Sequence, residues 1–170
     1  MKATFTRLGG ITMVSMTTLA GLASPTTLDS KEFSAAVTGA AHSTISGAAS
    51  FGRVAGGPTA PDVLSLNLGS DSSDGAVQFI RPSRSRLAIG SYPISDLAPG
   101  SDQFRALVML GSSERPQGVF RAESGVLTIT SLSDQTLTGR FELEAIGFMA
   151  DHPEREDQRV HVSGWFTAAR

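Results

Sequence analysis

Arg81, Arg84 and Arg86, set around Pro82, form the clearest basic cluster of the chain. Guanidinium groups so close together suit a carboxylate, a phosphate or an anionic polysaccharide, because each offers a planar fork of donors that meets two oxygens at once. The simpler use of the same residues is a solubilising loop beside an edge strand. Tyr92, Trp165 and Phe148 can serve as a stacking platform for sugar rings, or Trp165 can cap the end of a barrel. These residues, with Arg81, Arg84, Arg86, Tyr92 and Trp165 foremost, are the candidate ligand-binding set.

Catalytic and metal signatures are largely missing. There is no H-E-x-x-H, no phosphate-cradling glycine loop ending in Lys and Ser or Thr, and no G-x-G-x-x-G. Without cysteine, neither thiol catalysis nor a thiolate metal site can form. The run Ala48-Ala49-Ser50-Phe51-Gly52 has some likeness to a nucleophile elbow, but that turn needs a following helix and none is expected after Gly52. A zinc site needs three or four converging ligands, whereas His42, His152 and His161 fall in a hairpin turn, a charged loop and the outer face of a strand. Asp151, Glu154, Glu156 and Asp157 supply oxygen ligands of the kind calcium takes, yet Arg155 interrupts them and no glycine shapes the loop, so they read as a solvated tip. No catalytic residue, metal or cofactor is expected.

The elements that must position these residues are strands. Apolar and polar residues alternate with period two over 33–39, 44–51, 63–69, 76–81, 86–92, 103–110, 117–122, 125–131, 135–148 and 158–168. Leu137, Gly139, Phe141, Leu143 and Ala145 alternate with Thr138, Arg140, Glu142 and Glu144, so one face is dry and the other wet. Val160, Val162, Gly164, Phe166 and Ala168 repeat the pattern, which turns Trp165 outward. The phase of Phe120 and Ala122 is opposite to that of Leu127 and Ile129, so a bulge is expected at Ser124-Gly125. Residues 103–110 are apolar on both parities, as in a strand covered twice or used for contact. Turns are expected at 56–61, at Asp74-Gly75, and around Pro93 and Pro99-Gly100. The charged tip at 151–157 should close a long hairpin. Connections this short rule out parallel crossovers. The expected fold is all-β, a single antiparallel meander of about eight to ten strands forming a flattened barrel or a β-sandwich, with lipocalin-like curvature.

A further regularity bears on that curvature. An aliphatic residue, then Ser or Thr, then Gly occurs as Val37-Thr38-Gly39, Ile45-Ser46-Gly47, Leu137-Thr138-Gly139 and Val162-Ser163-Gly164. Each glycine has the parity of the apolar face. Glycine inside a strand marks a sharp bend or the close approach of an opposing side chain.

The first residues differ from the rest. Lys2 and Arg7 precede an uncharged stretch from Leu8 to Leu22, and Gly21-Leu22-Ala23 offers small residues where a signal peptidase reads. Residues 1–23 are therefore expected to be a signal peptide, 24–31 a polar leader, and 32–170 one domain. Without cysteine there is no lipid-attachment site, so the expected location is periplasmic or extracellular. Without Lys2 and Arg7, 12 basic residues face 16 acidic ones, a net charge of about −4. That balance argues against a nucleic-acid partner. No run of roughly eighteen apolar residues is present, so no membrane span is expected.

Phe33-Ser34-Ala35-Ala36-Val37-Thr38-Gly39 is followed by Ile45-Ser46-Gly47-Ala48-Ala49-Ser50-Phe51. Gly90-Ser91-Tyr92-Pro93-Ile94, the run from Ser124 to Ser131, Leu137-Thr138-Gly139-Arg140-Phe141 and Gly164-Trp165-Phe166 come later. This order resembles the uncharacterised exported β-rich domains common in environmental bacteria. The resemblance implies an address and a fold, and transfers no active site. The expected function is an exported non-catalytic binding or structural module of the cell envelope, with a small apolar ligand, a glycan or an envelope protein as partner. The alternatives are a lipocalin-like carrier of a small apolar ligand and a hydrolase using acidic residues.

Overall fold

Period-two alternation becomes nine strands and, among the described residues, no helix. The computed structural model describes residues 31–55, 62–70, 73–82, 85–96, 103–155 and 157–170. The expected signal peptide, the leader up to residue 30 and the turn at 56–61 lie outside them. The strands are β1 (Glu32–Gly39), β2 (Ser43–Val54), β3 (Val63–Leu68), β4 (Gly75–Pro82), β5 (Gly90–Ser95), β6 (Arg105–Ser112), β7 (Arg115–Leu132), β8 (Thr136–Met149) and β9 (Gln158–Ala169). No helix among the described residues is long and apolar enough to cross a membrane.

Eight strands close into a barrel. The meander β1-β2-β3-β4-β6-β7-β8-β9 pairs each strand with the next, and β9 returns antiparallel to β1, with Phe33 opposite Phe166. An even number of strands lets this seam pair like every other, so the ring has no open edge. Barrel, not sandwich, is the outcome. Eight strands enclose a space just wide enough for side chains, and here side chains fill it. Phe33, Phe79, Phe104, Phe120, Phe141 and Phe166 are all turned inward and at most 3% exposed.

Some in-strand glycines make room for these rings and others for backbone. A Cβ on Gly139 or Gly118 would meet the ring of Phe166 or Phe120, whereas one on Gly147 or Gly164 would meet the backbone of Val119 or Ser34. Across neighbouring strands Phe33 faces Gly47, Phe166 faces Gly139, Phe141 faces Gly164 and Phe120 faces Gly147. A Cβ on Gly139 would lie 2.7 Å from the Phe166 ring. A side chain there would collide with the largest inward residue of the facing strand, so inward phenylalanines lie opposite positions without a side chain.

The bulge expected at Ser124-Gly125 is present. Ala122 pairs with Ala145 and Ser124 with Glu144, leaving Glu123 as the extra residue, and β7 runs unbroken through what the alternation divided into two segments. The long hairpin of β8 and β9 is also present, in register from Thr136–Ala169 to Gly147–Gln158.

One expectation is corrected. The segment 86–92 is not the strand, and Pro93 is not in a turn. β5 spans Gly90–Ser95 and stands outside the ring, pairing with β7 from Gly90–Ile129 to Ser95–Ser124. Pro93 lacks an N–H, which a strand outside the closed ring tolerates. The chain departs from a simple meander here. Phe104 bridges to Ile94 just before β6 begins, and both are buried. The second apolar parity of β6 faces outward, with Met109 40% exposed.

Candidate functional site

The barrel has two ends, and one of them gathers arginines. It holds the end of β2, the start of β3, the end of β4, the segment 85–89, the β7–β8 turn and the C-terminus of β9. Beyond the start of β1, β2 and β9 touch directly at Ser50 and Ala169, which brings Arg53 and Arg170 to one rim. A cavity of about 390 Å³ opens there. Phe51, Leu64, Leu87 and Leu132 supply its apolar walls, while Arg53, Arg86, Arg170 and Asp134 supply its charge. Three guanidiniums against one carboxylate leave the opening positive in a chain whose net charge is −2. Among the described residues no acid lies within ion-pairing distance of Arg53, Arg86 or Arg170. By contrast, Arg121 pairs with Asp96 and Arg159 with Glu123 on the outer wall.

Strand parity explains how the cations converge. The inward face of β2 reads Ala49, Phe51, Arg53; that of β4 reads Val77, Phe79, Arg81; that of β9 runs through Phe166 and Ala168 to Arg170. Lys31 likewise precedes the inward Phe33 and lies beside Arg170. In each case the apolar alternation reaches the end of the barrel and finishes on a cation, whose long stem stays with the apolar wall while the head meets water.

Arg81 is the exception in depth. The loop reading placed it at the surface, and this is corrected: it is 1% exposed, opposite Leu64 on β3. Its guanidinium lies 5.2 Å from the Tyr92 ring centre and 5.5 Å from that of Phe104. Its Nη2 donates to the Ser85 carbonyl at 2.8 Å. Cation–π attraction is stronger when water is excluded, so this burial suits a charge held between two rings. The Tyr92 hydroxyl accepts from the Ala88 amide at 2.9 Å and donates to the Ala88 carbonyl at 2.8 Å. Arg81 and Tyr92 together anchor the segment 85–89, which sets Leu87 against the core and Arg86 on the rim.

Of the candidate residues, Arg81, Arg86 and Tyr92 thus meet at one end, and Arg84 lies outside the described residues. Trp165 does not join them. It stands on the outer wall of β9 between Ser34 and Arg140, 48% exposed. Phe148 is on β8 near the opposite end, paired with Val119, so no platform of three aromatics forms. The alternation missed Arg53 and Arg170 as site residues, although an arginine at the end of an inward parity was visible in both strands.

Two of the histidines lie beside acids at the surface. His161 Nδ1 lies 2.9 Å from Glu144, and its Nε2 lies 3.7 Å from Glu142, on the open outer wall. His152 is 3.6 Å from Glu154 in the β8–β9 turn. Among the described residues no group of three His, Asp or Glu is placed to hold a metal ion.

No family model, curated protein or solved structure matches this chain.

Proposed function

We propose that the protein is an exported, non-catalytic binding module of the cell envelope, which grips a carboxylate- or phosphate-bearing molecule at the arginine-lined mouth of a solid barrel. The observation that carries this reading is the convergence of Arg53, Arg86 and Arg170 on one cavity walled by Phe51, Leu64, Leu87 and Leu132. Apolar walls with a few convergent charged groups are the usual make-up of a small-molecule site. Export is supported by the charged start, the uncharged stretch and the small residues before Ala23.

The phenylalanine-filled interior supports recognition at the mouth ahead of an enclosed calyx for an apolar ligand. The hydrolase reading draws less support, since Glu142 and Glu144 meet His161 in a shallow depression of about 200 Å³ beside Gly125 and Val126 on the outer wall, where both carboxylates are exposed to water.

Calorimetric titration of the whole chain with octanoate and with octyl phosphate tests the reading. Saturable binding is expected, weakened about tenfold by Arg53→Ala or Arg86→Ala and unaffected by Trp165→Ala. Absence of binding, or binding indifferent to both arginines, overturns it.

A further inference from the structure

We propose that the cationic end of the barrel docks on a bilayer surface bearing anionic phospholipid. The inference rests on the reading of that end as an anion-binding site, and it names the source of the anion. A small ligand in the cavity would leave two features of the barrel unexplained.

The first is a pair of protruding apolar side chains. Val54 is 60% exposed and Ile89 is 66% exposed, more than the other exposed large hydrophobic residues described. Both belong to the cationic end: Val54 follows Arg53 at the end of β2, and Ile89 ends the segment held by Arg81 and Tyr92. Neither lines the cavity. Val54 has the outward parity of β2, so a molecule held between Phe51 and Leu132 leaves it in water. A bilayer interface would cover both, with the guanidiniums at the level of the phosphates. Apolar tips flanked by cations are the make-up of segments that lie in a headgroup layer.

The second feature is the opposite charge of the far end. Asp74, Glu114, Asp151, Glu154 and Asp157 occupy the connections there, against Arg115 and Arg155. Lys31, Arg53, Arg81, Arg86 and Arg170 occupy the near end, against Glu32, Asp62 and Asp134. An anionic surface attracts one end and repels the other, so the barrel approaches with its axis upright. Each cation that reaches such a surface strengthens binding by about fivefold, and the attraction decays within a Debye length.

Co-sedimentation of the full chain with vesicles tests the proposal, comparing phosphatidylcholine alone with two parts phosphatidylcholine to one part phosphatidylglycerol. Binding to the anionic vesicles only is expected, falling as salt rises. Arg53→Gln and Arg86→Gln should each weaken it by about fivefold. Val54→Ser with Ile89→Ser should weaken it while leaving octanoate titration unchanged, and Glu114→Gln with Asp151→Asn should not weaken it. In a Trp165→Phe background, the indole introduced by Ile89→Trp should shift its emission to the blue on anionic vesicles and be quenched by brominated acyl chains. Octanoate binding without vesicle binding, or vesicle binding indifferent to both arginine variants, overturns docking and leaves the anion site standing. Failure of both probes overturns the two readings together.

Discussion

The two ends of the barrel carry opposite charges in structurally different ways. At the acidic end the charges sit on turn tips, and the inward parities run out into small or polar residues such as Gly39, Ser43, Ser112 and Gln158. Its acids are partly matched locally, as with Asp157 near Arg155 at 4.0 Å and Glu154 near His152. Chain reversal explains them without a ligand. At the cationic end, Lys31, Arg53, Arg81 and Arg170 sit on the inward parity itself, where a solid barrel would otherwise finish in an apolar or small residue. A charge on a turn costs little, because water reaches it from most sides. A charge at the end of a core-facing row sits against apolar walls and calls for another explanation. The position of a charge relative to the strand period is therefore more informative than the number of charges.

If the acidic end is purely architectural, its sensitive points should be backbone positions. Gly111, near the end of β6, has φ near +79°, and a Cβ there would lie 2.8 Å from the Gln117 amide nitrogen. Gly111→Ala should cost about 2–3 kcal/mol, read as a lower urea midpoint at unchanged slope. Octanoate binding at the other end should persist under native conditions. Loss of binding in a folded Gly111→Ala protein would show that the two ends are not independent.

At the cationic end the comparable vulnerability lies in side chains that hold the segment 85–89. Tyr92→Phe removes the hydroxyl that contacts both the amide and the carbonyl of Ala88, and Arg81→Met removes the donor to Ser85. Each should cost about 1–2 kcal/mol. Each should also raise amide exchange and proteolytic cleavage at 85–89 well before the turns of the acidic end respond. Equal acceleration at both ends would mean that Arg81 and Tyr92 support the barrel as a whole and not this segment.

Much of this architecture was legible from alternation alone. Phe141 and Phe166 inward, Trp165 outward, the β8–β9 hairpin and the bulge after Ala122 all follow from parity, because a side-chain period of two leaves few registers that bury one face. Parity did not reveal which strands close the ring, since the β1–β9 seam joins residues distant in sequence. It also misplaced β5. Residues 86–92 alternate acceptably, but the tertiary contacts of Arg81 and Tyr92 hold 85–89 out of the sheet and shift the pairing to Gly90–Ser95. The same contacts hid Arg81, whose neighbours Pro82 and Ser83 made it look like part of a loop. Val77, Phe79 and Arg81 were nevertheless already in phase, as were Phe51 and Arg53. A cation that completes an apolar row was the available signal for the site, and grouping arginines by sequence proximity passed over it.

The smallest expected effect separates the two ends most cleanly. Arg155→Gln at the acidic end and Arg86→Gln at the cationic end each remove one exposed guanidinium, and each should change folding stability by no more than about 0.5 kcal/mol. Arg155 belongs to a long, solvated pair with Asp157 whose worth is offset by side-chain entropy, and Arg86 has no acidic partner to lose among the described residues. Stability therefore does not distinguish them, and any difference in function must come from what each end meets in solution. Arg155→Gln should leave octanoate titration unchanged, and Arg86→Gln should weaken it. Weakening by both variants alike would mean that the anion responds to the overall charge of the chain, and the mouth would lose its claim as a site. Only the combination of equal stability and unequal binding is consistent with a charge placed at the mouth for a ligand.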